Sequence, residues 1–406
     1  MQNQKAQSQL EFVALMASLM SVVALTIDAL LPALDVIGAA IGVTDIVNNQ
    51  LLIIMIFLGL GVGPLIFGPL SDSLGRKPVV YMGFGIFFIG SVICVLANSL
   101  EVMIIGRILQ GVGLSAPRTI SIAIIRDMYS GDYMARIMSF VTVVFILVPI
   151  IAPALGKFIL DAYNWQGIFY VQVLISILVC LWFWRRQPET LAAEHKKKVS
   201  TTVFTEGFKE LIKHKRTIIF TVISGFVTGS FMVYLSSSQQ IFEIQYQLKD
   251  EFPFIFAGLA ASIGSAILLN SSLVIKYGME KLISTSLLAF FVVSVIYVCV
   301  FYNSPNPSVW VLLGFFACQF FAIGFLFGNL RAVAMDSVGH IAGIASAITG
   351  FISTIMAVPI SIFIGRYISG TALPLFIGFS ICGGISLLLL FYLKREKRLQ
   401  LQTGKA

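Results

Sequence analysis

The chain has 406 residues, of which 58% are hydrophobic and 11% charged. Soluble domains carry roughly 25% charged residues, and a larger core cannot absorb that deficit because a water-facing surface needs polar groups. A lipid-facing surface removes the need, so the net charge of +8 reads as loop charge beside an anionic leaflet and not as a nucleic-acid footprint.

A spanning helix takes about 20 predominantly apolar residues. Runs of that kind lie near 10–31, 47–70, 79–97, 101–125, 138–160, 166–184, 217–240, 253–275, 282–302, 308–330, 341–366 and 371–393. They are far longer than barrel strands and do not alternate, which predicts an all-α membrane protein of twelve transmembrane helices. The first run is too long for a signal-peptide core and no small-residue cleavage site follows it, so it is read as a span. One polar segment, 185–216, interrupts the array after six spans. The predicted organisation is an N-terminal six-helix lobe (1–184), a cytoplasmic linker (185–216), and a C-terminal six-helix lobe with a tail (217–406), the two lobes pseudo-symmetric.

Orientation follows from Lys and Arg. With the N-terminus inside, the even-numbered connections and the two tails hold 22 of the 27 basic residues. The outer connections hold Lys157, Lys249 and Arg366, and the other two, Arg107 and Arg118, fall inside the fourth span. That asymmetry predicts both termini in the cytoplasm; a bacterial inner membrane is the expected location.

Charges within spans cost about 2.5–3.5 kcal/mol each on insertion scales, so they are candidates for function. In the first span Ser18, Ser21, Leu25 and Asp28 recur at helical spacing and share a face. Asp28 is the carboxylate well inside a predicted span. Either it anchors the helix end near the headgroups, or it carries a proton and meets substrate. The short loop from Gly68 to Lys77 follows the second span. Its Gly75 permits a tight turn, and Asp72 and Arg76 can pair at the cytoplasmic mouth; a simple topogenic turn is the other reading. In the fourth span Arg107 and Arg118 are eleven residues apart and return within about 20° of one face, together with Gln110, Gly111 and Ser115. That stripe faces protein or water, since lipid would not tolerate two cations. Each Arg is held by backbone or a carboxylate, or lines a cavity.

In the second half Phe231, Tyr234, Ser237, Ser238 and Gln239 lie in the seventh span, Asn270 in the eighth, and Gln319 and Asn329 in the tenth. They are either packing or substrate contacts; Tyr234, Gln319 and Asn329 join Ser21, Gln110 and Arg118 as candidate substrate-binding residues. The five cysteines, Cys94, Cys180, Cys299, Cys318 and Cys382, sit in apolar runs without metal-ligand spacing, and His195, His214 and His340 are scattered. No metal and no cofactor are expected. Neither a nucleotide-binding loop nor an intramembrane nucleophile–base pair is present, which argues against an ATP-driven pump or an enzyme.

Gly68-Pro69-Leu70-Ser71-Asp72-Ser73-Leu74-Gly75-Arg76-Lys77 resembles the signature loop of the major facilitator superfamily, and Arg107-Ile108-Leu109-Gln110-Gly111 resembles its fourth-helix motif. Pro149, Pro153 and Gly156 resemble the antiporter motif of exporters, with Lys157 where a second glycine is usual. Asp28-Ala29-Leu30-Leu31-Pro32-Ala33-Leu34, Arg126-Asp127, Trp165 with Ile168-Phe169, Pro188-Glu189-Thr190 and Ala342-Gly343-Ile344-Ala345-Ser346 resemble the Bcr/CflA drug-resistance branch. The resemblance implies a monomeric proton-driven exporter of small drug-like molecules. Asp28 and Arg107 would couple protons. Asp72, Gly75 and Arg76 would gate the cytoplasmic side, and Pro149, Pro153 and Gly156 would bend the fifth span. An exporter dedicated to one endogenous metabolite, such as a siderophore or sugar, is the alternative. Arg118 adds the expectation that neutral or anionic substrates are preferred to lipophilic cations.

Overall fold

The structure, a computed structural model, describes residues 8–192, 194, 196 and 202–402. His195, Lys197 and Lys198 of the polar segment lie outside the described residues. The elements are helical throughout the described residues. The order is α1 (Gln9–Asp28), α2 (Leu34–Ala40), α3 (Leu51–Leu74), α4 (Arg76–Val95), α5 (Leu100–Met128), α6 (Gly131–Ala162) and α7 (Trp165–Arg186), followed by α8 (Thr202–Lys213), α9 (Lys215–Gln239), α10 (Phe252–Tyr277), α11 (Met279–Phe301), α12 (Val309–Asp336), α13 (Ala342–Gly365) and α14 (Leu373–Gln402). Among the described residues twelve helical segments are long and apolar enough to cross a membrane, and each coincides with a predicted run.

Two differences from the sequence reading concern boundaries. The polar connection contains a helix, α8, whose Leu211 is buried. The seventh span does not stop at 240: α9 runs on through a π-helical segment, Gln240–Gln245, which brings Glu243 into the span. A π turn widens the backbone by one residue per turn and re-aims side chains. The Gln239 Nε2 donates to the Glu243 Oε2 across it at 2.9 Å.

The chain divides into two compact units. The first holds the chain to Thr201 together with Lys249–Ala257, and the second holds Thr202–Leu248 and Gly258–Ala406. In the first, α5 is the central element and packs against α3 and α4. Glycines allow that approach. A Cβ at Gly111 would stand 2.0 Å from the Ile56 carbonyl oxygen, and one at Gly90 would stand 2.8 Å from the Gln110 nitrogen. Small residues that bring backbones together are the usual currency of helix association in lipid, where apolar burial supplies no driving force. The outer faces of the helices carry exposed apolar side chains such as Ile89, Phe158 and Leu178, the composition that faces acyl chains. At one end Glu11 of α1 accepts two hydrogen bonds from Arg186 of α7, at 2.5 and 2.7 Å.

In the second unit α9 packs against α12, α13 and α14, and α11 packs against α12 and α14. Its core is aromatic. The Tyr234 ring meets Phe320 edge-on at 4.4 Å and Phe316 at a tilt at 5.1 Å between ring centres, and Tyr297 stacks on Phe376 at 3.7 Å. Both units use the same joint once. Gly75 (φ 114°) separates α3 from α4, and Gly278 (φ 77°) separates α10 from α11. Positive φ is costly for a side-chain-bearing residue, so glycine lets one helix end and the next begin without a loop.

Candidate functional site

α1 ends at Asp28, where a 3₁₀ turn with Pro32 takes over. The Asp28 side chain is deeply buried, with the residue 5% exposed. Among the described residues no cation and no hydrogen-bond donor meets its carboxylate. α6 presses on the next peptide: a Cβ at Gly156 would lie 1.9 Å from the Ala29 carbonyl oxygen. Pro149 and Pro153 lie in the same helix, and Lys157, one residue beyond Gly156, pairs with Asp161 at 3.1 Å and Asp250 at 3.0 Å. Pro153 and Gly156 are buried, Pro149 half-buried. One turn or two before Asp28, the Ser21 hydroxyl is buried with no partner among the described residues, while Ser18 donates to its own helix at Ala14.

Arg107 does not reach Asp28. It is fully buried, at 0% exposure, and its guanidinium donates to backbone carbonyls of two other helices: Nε to Leu52 of α3 at 2.7 Å, and both terminal nitrogens to Thr26 of α1 at 3.4 Å. Nη1 also donates to the Gln110 Oε1 at 2.7 Å, and the Gln110 Nε2 donates to the Ser91 hydroxyl of α4 at 2.8 Å. Arg107 is thus paired with backbone carbonyls. One planar fork joins α1 and α3 to α5, and Gln110 carries the network on to α4. Gln110 is spent at both ends of its amide within that network. Arg118 is half-buried on α5 just past Pro117, some 16 Å from Arg107 by helical rise.

The signature loop forms a second cluster in the same unit. The Arg76 Nη1 pairs with Asp72 at 2.6 Å, and its Nε with Asp127 at 2.9 Å. Gly75 joins the helices here, and its φ of 114° is one reason for glycine. The other is that a Cβ would stand 2.7 Å from the Glu189 Oε2. Glu189 caps α4: its oxygens accept from the backbone nitrogens of Arg76 (2.9 Å) and Lys77 (3.0 Å), and of Thr190 and Leu191 (both 3.0 Å). Partial burial works against its charge, but these four donors outweigh it and hold the carboxyl below the ordinary glutamate range. A carboxyl depressed in the folded state contributes stability above its unfolded value, and that contribution is lost as pH falls through the folded value. Below roughly pH 4.3 the melting temperature of the detergent-solubilised protein should therefore fall more steeply for wild type than for Glu189→Gln. Parallel curves would remove the charge of Glu189 from the cap.

In the second unit, Tyr234 is buried among rings, and Gln319 is fully buried, its Nε2 donating to the Phe290 carbonyl at 3.0 Å. Asn329 and Asn270 exchange amide hydrogen bonds at 2.7 and 3.3 Å, tying α12 to α10. Among the candidates the structure brings together Arg107 with Gln110, Asp72 with Arg76 beside Gly75, and Gly156 with the peptide that follows Asp28; Arg118, Tyr234, Gln319 and Asn329 stand apart from these groups. Sequence reasoning offered Asp127 only as an acid that could hold Arg118, and the structure pairs it with Arg76. It assigned no role to Glu189 or Glu243; Glu189 stands in a motif it had noted, and Glu243 is four residues from Gln239, the spacing of a helical pair.

The family model described as Major Facilitator Superfamily matches residues 15–361. A bicyclomycin resistance protein homolog of Haemophilus influenzae is 26% identical over 351 residues, covering 82% of this chain and 84% of that protein. The multidrug resistance protein MdtL of Escherichia coli is 25% identical over 339 residues, covering 82% and 83%. Among solved structures, the human organic anion transporter MFSD10 (TETRAN) superposes with a TM-score of 0.65 at 14% identity, covering 94% of this chain and 99% of that one. At that identity the likeness shows a shared fold.

Proposed function

The chain belongs to the major facilitator superfamily and is a membrane transporter rather than an enzyme, and from that premise we propose that it exports small amphipathic, drug-like molecules in exchange for protons. The observation that carries the reading is Asp28, an acid buried within a span without a counter-charge among the described residues. A fixed charge there would be costly, whereas a group that gains and loses a proton can alternate between states. The resistance proteins among its relatives support the substrate class.

In this reading two six-helix lobes alternate access to a site at the bilayer midplane. Asp28 carries the proton. Arg107, positioned by Gln110, fixes the carbonyl of Thr26 two residues before it. Ser21, Arg118, Tyr234, Gln319 and Asn329 belong to the substrate site. Asp72, Gly75 and Arg76 gate one side, and Pro149, Pro153 and Gly156 govern the bend of α6. Both termini face the cytoplasm, and the monomer is the working unit in a bacterial inner membrane.

Expression in a drug-sensitised bacterium, challenged with a chemically diverse panel, tests the function. Raised resistance to several unrelated compounds, abolished by a protonophore, is the expected result. Protection against none ends the drug-export reading, and protection confined to one metabolite-like compound favours a dedicated exporter. The same strain tests Arg118. Arg118→Ala should shift relative efflux several-fold from a neutral or anionic antibiotic toward a cationic dye. Unchanged selectivity would make Arg118 structural.

A further inference from the structure

The end of the second unit at which α11 begins carries a cavity of about 480 Å3, whose wall includes Arg216, Tyr277, Lys281, Ser284, Thr285 and Lys394. Its cations are not equivalent. Arg216 is neutralised within the fold, by Glu280 at 2.7 Å and Asp336 at 3.4 Å. Lys281 and Lys394 form no ion pair with a carboxylate among the described residues. The Lys394 Nζ donates to the Ser284 hydroxyl at 2.7 Å, and the Lys281 Nζ stands 5.1 Å from the centre of the Tyr277 ring. Two ammonium groups thus border one hollow without an ion-pair partner among the described residues, and Glu280, the acid in its wall, is taken up by Arg216.

What lies beside the lysines narrows the ligand. Along α11, Lys281, Thr285, Leu288, Val292 and Ile296 follow one another at intervals of three or four and are all exposed. Along α14, Lys394 is followed back toward the helix start by Phe391 (66% exposed), Leu388 (71%), Ile385 and Ile381. Residues so spaced share a helix face, and α11 packs against α14. Each lysine therefore heads a strip of exposed apolar side chains on one of two adjacent helices. A soluble phosphate has no use for such strips. A phospholipid has both parts, an anionic head and apolar chains.

The first unit offers an internal comparison. At its own glycine joint, the start of α4 is occupied by the Glu189 carboxylate, which accepts from Arg76 and Lys77. At the Gly278 joint no side chain among the described residues caps the start of α11, and the cavity opens there instead. The first unit supplies its anion from its own chain.

We propose that this cavity holds the phosphate of an anionic phospholipid, with Lys281 and Lys394 as its counter-charges and the acyl chains along the α11 and α14 strips. The site does not depend on the transport reading; under the proposed orientation it belongs to the cytoplasmic leaflet, where anionic headgroups attract basic side chains.

Native mass spectrometry of the full chain in detergent tests this, with phosphatidylglycerol, phosphatidylcholine of the same chains, and glycerol 3-phosphate as probes. Wild type should retain phosphatidylglycerol in clear preference to phosphatidylcholine. In the double variant Lys281→Gln/Lys394→Gln that preference should fall about thirtyfold, from roughly 1 kcal/mol per lysine at 1.4 kcal/mol per decade. Lys281→Arg/Lys394→Arg should keep it, which separates charge from misfolding. Equal retention of the two lipids by wild type, or an unchanged preference in the glutamine variant, would overturn the site. Displacement of the lipid by equimolar glycerol 3-phosphate would assign the cavity to a soluble phosphate and overturn the lipid.

Discussion

Asp28→Asn should leave insertion and folding intact and abolish uphill efflux, so that the variant equilibrates substrate across the membrane but no longer accumulates it on one side. The substitution keeps the shape of the side chain and removes its titratable proton. It replaces a carboxyl that meets no donor or cation among the described residues, so no native contact is broken. A buried amide without a hydrogen-bond partner costs about 1–3 kcal/mol on mutational scales, which a protein of this size can absorb. The transport loss is larger. One net charge moved inward is worth ~2.3 kcal/mol per 100 mV, equivalent to roughly a fortyfold gradient at 1.4 kcal/mol per decade. An uncoupled variant forfeits all of it. Proteoliposomes with an imposed pH gradient give the measurement, with downhill counterflow as the control for a folded carrier. Uphill efflux with the wild-type pH dependence would end the coupling role of Asp28.

Arg107→Ala should be the most destabilising of the single substitutions considered, and Arg107→Lys should rescue little of the loss. The guanidinium joins the Leu52 carbonyl, the Thr26 carbonyl and the Gln110 amide. Alanine leaves these acceptors buried without their donor, at about 1–3 kcal/mol each, and opens a void at the centre of α1, α3, α4 and α5. Lysine keeps the charge but presents one ammonium where three directions must be met. The melting temperature in detergent reads the effect, and a small drop for alanine would show that the network is dispensable. The partial variant Gln110→Leu should fall between, since it releases Ser91 and one arm of the guanidinium while leaving the carbonyls bound. Asp28 and Arg107 thus separate by readout, the first moving coupling and the second stability.

The spans were legible because lipid imposes a long, uninterrupted apolar run that few other structures need. Where a helix breaks that rule, the sequence misleads. Gln239 and Gln240 ended the seventh run on paper, yet the backbone continues through a π turn to Gln245. α8 was hidden because its Phe208, Leu211 and Ile212 sit amid lysines and read as linker. The site divides the same way. Arg107 and Gln110 are visible as a pair three residues apart, but the partners that decide what Arg107 does are backbone carbonyls at Leu52 and Thr26, which have no side-chain signature. Arg76 was placed with Asp72, four residues away, but its stronger constraint includes Asp127, 51 residues on. Such a pairing is a property of how α4 meets α5, and a single sequence does not express it.

The cap on α4 sets the shortest N-terminal stretch that keeps the start of that helix closed. Glu189 lies past the last residue of α7, in what a span map counts as connector, yet it terminates a helix whose first residue is 113 positions earlier. A fragment that stops at Arg186 would keep all six spans and still leave two peptide nitrogens of α4 without their acceptor and Gly75 without its neighbour. A fragment that runs through Leu191 carries the complete α4 cap, and lacks residues 192–201 and the Lys249–Ala257 segment of the first unit. For a chain expressed as two pieces, or opened to receive an inserted domain, the permissive window therefore begins after Leu191, where the backbone bonds to Glu189 are complete.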